Sequence, residues 1–305
     1  MLNVSKYDEY LLNEGMNDFT PNDLIMELIT SDIPLSEIKE LKKDLISLNE
    51  SIFRDIYKKF DKWLSKKAVD YLVRSTSKHF DERLKIIHMF DPTDFSNIDS
   101  CKFIYLGGGI DAATDLDHNW RYWFENQFSS VEPNPHVMYN DDAVKMSQTG
   151  SWKGIDKSKY INPVLFNPLR NEIIRNDPEF QHAYKAFKSG EFDEPFTKDD
   201  REIRKLGRFF NKNVVEFDLK AFTLCDTNFV KWDATAGAGT KGELQLSMNV
   251  KQNIFMWVDS ARDREDLRLK VSNISPWTLG SISKIVRGDK EVMLLIDSIK
   301  KMNGM

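Results

Sequence analysis

Two stretches of this chain gather residue types that can do chemistry. The first runs from Cys225 to Glu243. Cys225-Asp226-Thr227-Asn228-Phe229-Val230-Lys231-Trp232 reads as a buried strand, and Asp233 ends it. The loop Ala234-Thr235-Ala236-Gly237-Ala238-Gly239-Thr240-Lys241-Gly242 follows, and Glu243 then opens a helix. In an open α/β sheet, ligands bind outside the carboxyl ends of the strands, where such a loop sits. A carboxylate at a helix N-terminus is favoured in its ionised form. Glu243 therefore reads either as a nucleophile or electrostatic stabiliser, or as a first-turn acid that supports its own helix.

The second stretch is Tyr105-Leu106-Gly107-Gly108-Gly109-Ile110-Asp111. A strand that feeds glycines and then a helix lets a ligand come close to the backbone and aims a helix N-terminus at it. Gly107, Gly109 and Ala112 satisfy a loose G-x-G-x-x-A pattern. The same glycines also serve as a plain tight turn.

These residues need a scaffold, and hydropathy patterning outlines one. The expected domains are a helical region over 1–98 and an α/β domain over 99–305. In the first, Thr20-Pro21-Asn22-Asp23 is a helix start with a Thr cap, a Pro and an acid in the first turn. After Pro34, with Ser36 as cap, Ile38, Leu41, Leu45, Leu48, Ile52 and Ile56 fall three or four apart, which predicts one long helix with an apolar stripe. The lysine- and aromatic-bearing segment from Lys58 to Lys67 reads as a solvated amphipathic helix rather than as a nucleic-acid surface. In the second domain, strands are expected at Cys101–Leu106, Pro163–Phe166, Phe222–Lys231 and Asn253–Val258. Helices are expected at Leu116–Phe128 and Gly242–Val250. Strands alternating with helices predict a parallel, Rossmann-like (flavodoxin-like) sheet. Residues 132–207 read as a long insertion of loops and short helices.

Composition sets the outer bounds. In 305 residues, 43 basic side chains stand against 48 acidic ones, for a net charge of −5. That balance gives no global attraction to nucleic acid or to an anionic membrane. No apolar run approaches the ~20 residues of a membrane helix, and Met1–Glu9 lacks the basic and apolar regions of a secretion signal, so the expectation is a cytoplasmic protein. The 2 cysteines and 5 scattered histidines offer no metal-ligand spacing. Neither metal nor another cofactor is expected.

At four places in chain order the sequence resembles the nucleoside 2-deoxyribosyltransferase family: Tyr105-Leu106-Gly107-Gly108-Gly109; Asp218-Leu219 ahead of the strand that Asp226 opens; Gly239-Thr240-Lys241-Gly242-Glu243; and Asn273-Ile274-Ser275-Pro276-Trp277. The likeness covers about residues 102–111 and 216–280. It implies an N-glycosyl-transferring enzyme acting on 2-deoxyribonucleosides or their 5′-monophosphates through a covalent glycosyl-glutamate, with transfer and hydrolysis both open. The resemblance makes Glu243 the nucleophile, has Tyr105 orient it, and has Asp218 contact the base and manage its proton. It makes Asp233 a second base or sugar contact and Asn273 a contact near the sugar hydroxyl or nucleophile. The matched Gly107, Gly108, Gly109, Gly239, Thr240 and Trp277 would line the substrate. The family also implies that the Asn273–Trp277 segment completes a neighbouring subunit's site, hence a homo-oligomer. The rival reading is a non-catalytic module that binds a nucleotide or an NAD derivative on the Gly107–Gly109 loop.

Overall fold

The computed structural model describes residues 19–47, 50–74, 80–108, 120–170, 211–232, 238–258 and 276–305, with isolated residues between 178 and 209. The chain divides into two compact units. One comprises Met1–Asn97 with Val258–Val292, and the other Ile98–Trp257 with Met293–Met305.

The first unit holds helices α1 (Pro21–Thr30), α2 (Leu35–Ile46), α3 (Glu50–Phe60), α4 (Lys66–Arg74) and α5 (Phe80–Phe90). Thr20 and Asp23 close a reciprocal capping box at the start of α1. The single long helix expected after Pro34 is two helices. Pro34 itself, not Ser36, is the N-cap of α2, and α2 ends at Ser47, whose hydroxyl turns back to the Lys43 carbonyl at 3.0 Å. That local bond competes with helix continuation. Ile38, Leu41, Leu45 and Ile56 of the stripe are buried as the spacing requires. Along Lys58–Lys67 the aromatic Phe60 is buried, while Lys59 pairs with Glu37 at 3.3 Å and Lys62 lies over the Trp63 ring.

The second unit contains β1 (Phe103–Gly108), α6 (Trp120–Asn126), α7 (Asn140–Thr149), β2 (Val164–Phe166), α8 (Glu216–Phe222), β3 (Thr227–Trp232), α9 (Ala238–Asn249) and β4 (Asn253–Val258). α10 (Pro276–Ser281) and β5 (Lys284–Arg287) belong to the first unit, and α11 (Gly288–Met302) begins in the first and ends in the second. The fold is α/β: N-terminal helices followed by a five-strand parallel sheet in the flavodoxin-like order β2-β1-β3-β4-β5. β1 pairs in parallel with β2 on one side, Tyr105 opposite Phe166, and with β3 on the other, Tyr105 opposite Asn228.

Three boundaries differ from the sequence reading. β1 runs through Gly107 and Gly108 instead of stopping before them, because both remain paired with Val230 and Lys231 of β3. Phe222 closes a helix rather than opening a strand. Its apolar run Ala221, Phe222, Cys225 is buried, but a short apolar run does not distinguish helix from strand. α9 begins at Ala238, a turn ahead of the expected start, with Thr240 buried in its first turn. Packing there outweighs the ~1 kcal/mol that a helical glycine costs. Among the described residues, no helix is long and apolar enough to cross a membrane.

Candidate active site

The residues that meet at the carboxyl end of β1 come from four elements of the second unit. Tyr105 is on β1, and its ring is immobilised by stacking on Phe166 (centroids 5.7 Å apart) and by an edge contact with Phe222 (5.0 Å). Beneath it lies an apolar floor that includes Met138, Met146, Val164 and Ala221. The only polar atom of this buried side chain, the hydroxyl, donates to Glu243 Oε1 at 3.3 Å. Burial, with Asp218 and Glu243 adding negative charge nearby, pushes the phenol well above its ordinary pKa, so it stays a donor.

Glu243 lies in the second turn of α9, not its first, so it is not a helix-capping acid. Its other oxygen, Oε2, accepts the Gly108 N–H at 3.3 Å. Ser247, one turn on, donates to the Glu243 carbonyl at 3.0 Å and accepts from Asn228 Nδ2 at 2.8 Å. The helix N-terminus was expected to hold Glu243 ionised. Instead burial raises its pKa to about 7, against the lowering pull of Arg121, the Gly108 N–H and the Tyr105 hydroxyl. The dipole effect fades beyond the first turn, whereas desolvation acts wherever the carboxylate sits.

Gly107 and Gly108 are glycines for separate reasons. A Cβ on Gly107 would stand 2.7 Å from Asn228 Oδ1 and 3.1 Å from Glu243 Oε2, so the side-chain space is already taken. Gly108 has φ +129°, a conformation that side chains with a Cβ rarely adopt. That twist turns its carbonyl to Arg121 Nη2 at 2.7 Å, while its N–H meets Glu243 at 3.3 Å.

Asp218, on α8, faces the same point. Burial first, and the Glu243 charge second, raise its pKa well above the usual range, partly opposed by Arg121. Its Oδ1 is buried without a hydrogen-bond partner. The pair thus consists of one carboxyl poised near neutrality and one pushed further toward its protonated form, the asymmetry that divides acid and base roles between two carboxyls.

Arg121 is the participant that the sequence reading passed over. It is fully buried on α6, with Nε on the Leu106 carbonyl at 2.8 Å and Nη2 on Gly108. One turn later Glu125, also buried, takes Asn167 Nδ2 at 2.8 Å and Arg170 Nη2 at 2.6 Å just beyond β2. The signal was present: two opposite charges one helical turn apart, Arg121 within the aromatic run Trp120–Phe124 and Glu125 directly after it. Trp120 and Trp123 pack against Trp257, with Trp120 also touching Phe229.

Of the remaining candidates, Thr240 is buried in α9, Gly239 lies beside it in that helix, and Trp277 belongs to α10. Gly109, Asp233 and Asn273 lie outside the described residues. Lys241 is exposed. Asp226 sits at the opposite end of β3, where its carboxylate takes Ser100 Oγ at 2.7 Å and the N–H groups of Lys102 and Phe103. A separate cleft of about 660 Å³, bordered by Asn134, Tyr139, Asp142 and Tyr160, contains none of Tyr105, Asp218 or Glu243. Among the described residues, no group of His, Cys, Asp and Glu is arranged to hold a metal ion. No family model, curated protein or solved structure matches this chain.

Proposed function

We propose that the chain is a nucleoside 2-deoxyribosyltransferase-like enzyme that transfers or hydrolyses the N-glycosidic bond of 2-deoxyribonucleosides or their 5′-monophosphates. The observation that carries this reading is the seating of Glu243. Its two oxygens meet the Tyr105 hydroxyl and the Gly108 N–H, with Asp218 close enough to feel the Glu243 charge.

Such a pair suits glycosyl transfer. Glu243, once ionised, attacks the anomeric carbon as the carbon–nitrogen bond to the base breaks, and Asp218 gives its proton to the departing base. The sugar is left as an ester of Glu243. A second base or water then attacks the same carbon and frees the carboxylate. During the first step the negative charge of Glu243 also stabilises the developing oxocarbenium ion. The Gly108 N–H is directed at Glu243 rather than at an open cradle, which favours this reading over a phosphate-binding module.

Chromatography after incubation with 2-deoxyribonucleosides, their 5′-monophosphates and free bases tests the proposal. Base exchange identifies a transferase and base release alone a hydrolase. Wild-type turnover by Glu243→Gln, or no turnover of any of these compounds by the native chain, would sink it.

A further inference from the structure

The Gly108 peptide is the part of the site least able to hold itself in place. A residue at φ +129° lies outside the regular strand conformation, and its N–H goes to the Glu243 carboxylate. Its carbonyl is not idle. It and the Leu106 carbonyl are taken by two nitrogens of one guanidinium, Nη2 and Nε of Arg121. A planar fork that engages two carbonyls of the same strand end fixes the two peptide links that carry them, and so restrains the link between them, which carries the Gly108 N–H.

We propose that Arg121 is a positioning residue for Glu243, acting by fixing the Leu106 and Gly108 carbonyls on either side of the peptide link that carries the Gly108 N–H, so that this N–H is presented to the carboxylate. The inference rests on the reading of Glu243 as the reactive group, but its geometry does not depend on the substrate. Arg121 is fully buried, and a buried cation requires charge partners as well as hydrogen bonds. The groups that surround it electrostatically are Glu243, Tyr105, Asp218 and Tyr122. Glu243 is the first of these, so the guanidinium holds the strand end and also draws the carboxylate toward its ionised form. Arg121 opposes the same burial that raises Asp218. A lysine would keep the charge, but as a point donor it would not hold two carbonyls in a fixed plane.

The experiment is a carbon-13 carboxyl titration of glutamate-labelled protein, with the Glu243 signal identified by its loss in Glu243→Gln. The Gly108 amide shift is followed in the same samples. In the native chain the Gly108 amide should titrate together with Glu243. Arg121→Gln should raise the Glu243 midpoint by about 1–3 units, the size of an opposite-charge effect. Arg121→Lys should leave the midpoint close to native yet reduce the Gly108 response and lower kcat more than it raises KM. A native midpoint in Arg121→Gln, or a native Gly108 response in Arg121→Lys, overturns the proposal. If Arg121→Gln does not fold, the Arg121→Lys response decides alone. Because the titration needs no turnover, a failure here is distinguishable from a failure of the nucleoside chemistry, which the Glu243→Gln assay reads separately.

Discussion

Tyr105 and Asp218 flank Glu243 with different tools, and substitutions should separate them. Tyr105→Phe removes one hydrogen bond to a carboxylate and leaves the clamped ring in place. A bond to a charged group contributes about 1.5–3 kcal/mol, so kcat should fall roughly ten- to a hundredfold. A Tyr105→Phe enzyme as inactive as Glu243→Ala would mean that the hydroxyl takes part in the reaction itself. The pH profile follows from the two carboxyls. In the proposed reaction Glu243 must be ionised to attack, so kcat/KM should rise as pH passes about 7. Asp218 must be protonated to serve the leaving base, so the rate should fall again on the alkaline side, where its raised pKa is crossed. Asp218→Asn cannot shuttle a proton, and its profile should lose the alkaline limb. A bell of unchanged shape in Asp218→Asn would limit that residue to binding.

At the scale of elements, the two ends of the sheet have different tasks. The carboxyl end of β1 carries the Tyr105, Glu243 and Asp218 cluster, while the other end is fastened by Asp226, which takes the Ser100 hydroxyl and the Lys102 and Phe103 N–H groups. Asp226→Ala leaves those donors without their acceptor, which costs about 1–3 kcal/mol where a group stays buried. The urea midpoint should fall, with kcat and KM of the folded fraction unchanged. A large kcat loss at native stability would place Asp226 in the chemistry instead. α6 works by side-chain spacing: Arg121 and Glu125, one turn apart, serve β1 and the segment after β2. Both are charges inside an aromatic face, and their partners are backbone carbonyls and distant side chains. Periodicity alone assigns such a helix to the core and does not reveal the fork.

For the molecule as a whole, two cations of the first unit close carbonyls that its helices leave open. Lys284, only 2% exposed, donates to the carbonyls of His88 at 2.8 Å, Asp91 at 2.9 Å and Asp94, at and beyond the end of α5. Arg287 does the same for Leu28, Ser31 and Ile33 at the end of α1. Cations at helix C-termini satisfy carbonyls that the helix leaves open. Burial lowers the Lys284 pKa from 10.5 to about 8. Between those values the unfolded chain holds a proton that the folded chain lacks, so stability should climb as pH rises through that window. Lys284→Met should lower the urea midpoint at pH 7 and flatten the alkaline climb; a native midpoint would show that the carbonyls find other donors. The assembly proposal belongs to this scale too. If Asn273 completes a neighbouring subunit's site, mixing inactive Glu243→Ala with inactive Asn273→Ala chains should restore activity, whereas sites built within one chain should stay inactive.

Local rules were enough for much of the fold. The capping pattern at Thr20-Pro21-Asn22-Asp23, the buried stripe of α2, the strand Asn253–Val258 and the alternation that demands a parallel sheet all depend on neighbours in sequence. Glu243 was legible as a candidate because a glycine-rich loop at the carboxyl end of a strand marks a ligand edge, whereas Tyr105 was named beside it only through the family resemblance. What only the tertiary structure decided depends on groups far apart in the chain. It seats Glu243 in the second turn of its helix, where desolvation rather than the dipole sets its acidity. It fills the side-chain space of Gly107 with Asn228 and Glu243, and it draws Arg121 onto the end of β1. Hydrophobic periodicity records which face a residue turns inward; the hydrogen bonds and charges it meets there are set by segments that periodicity does not connect.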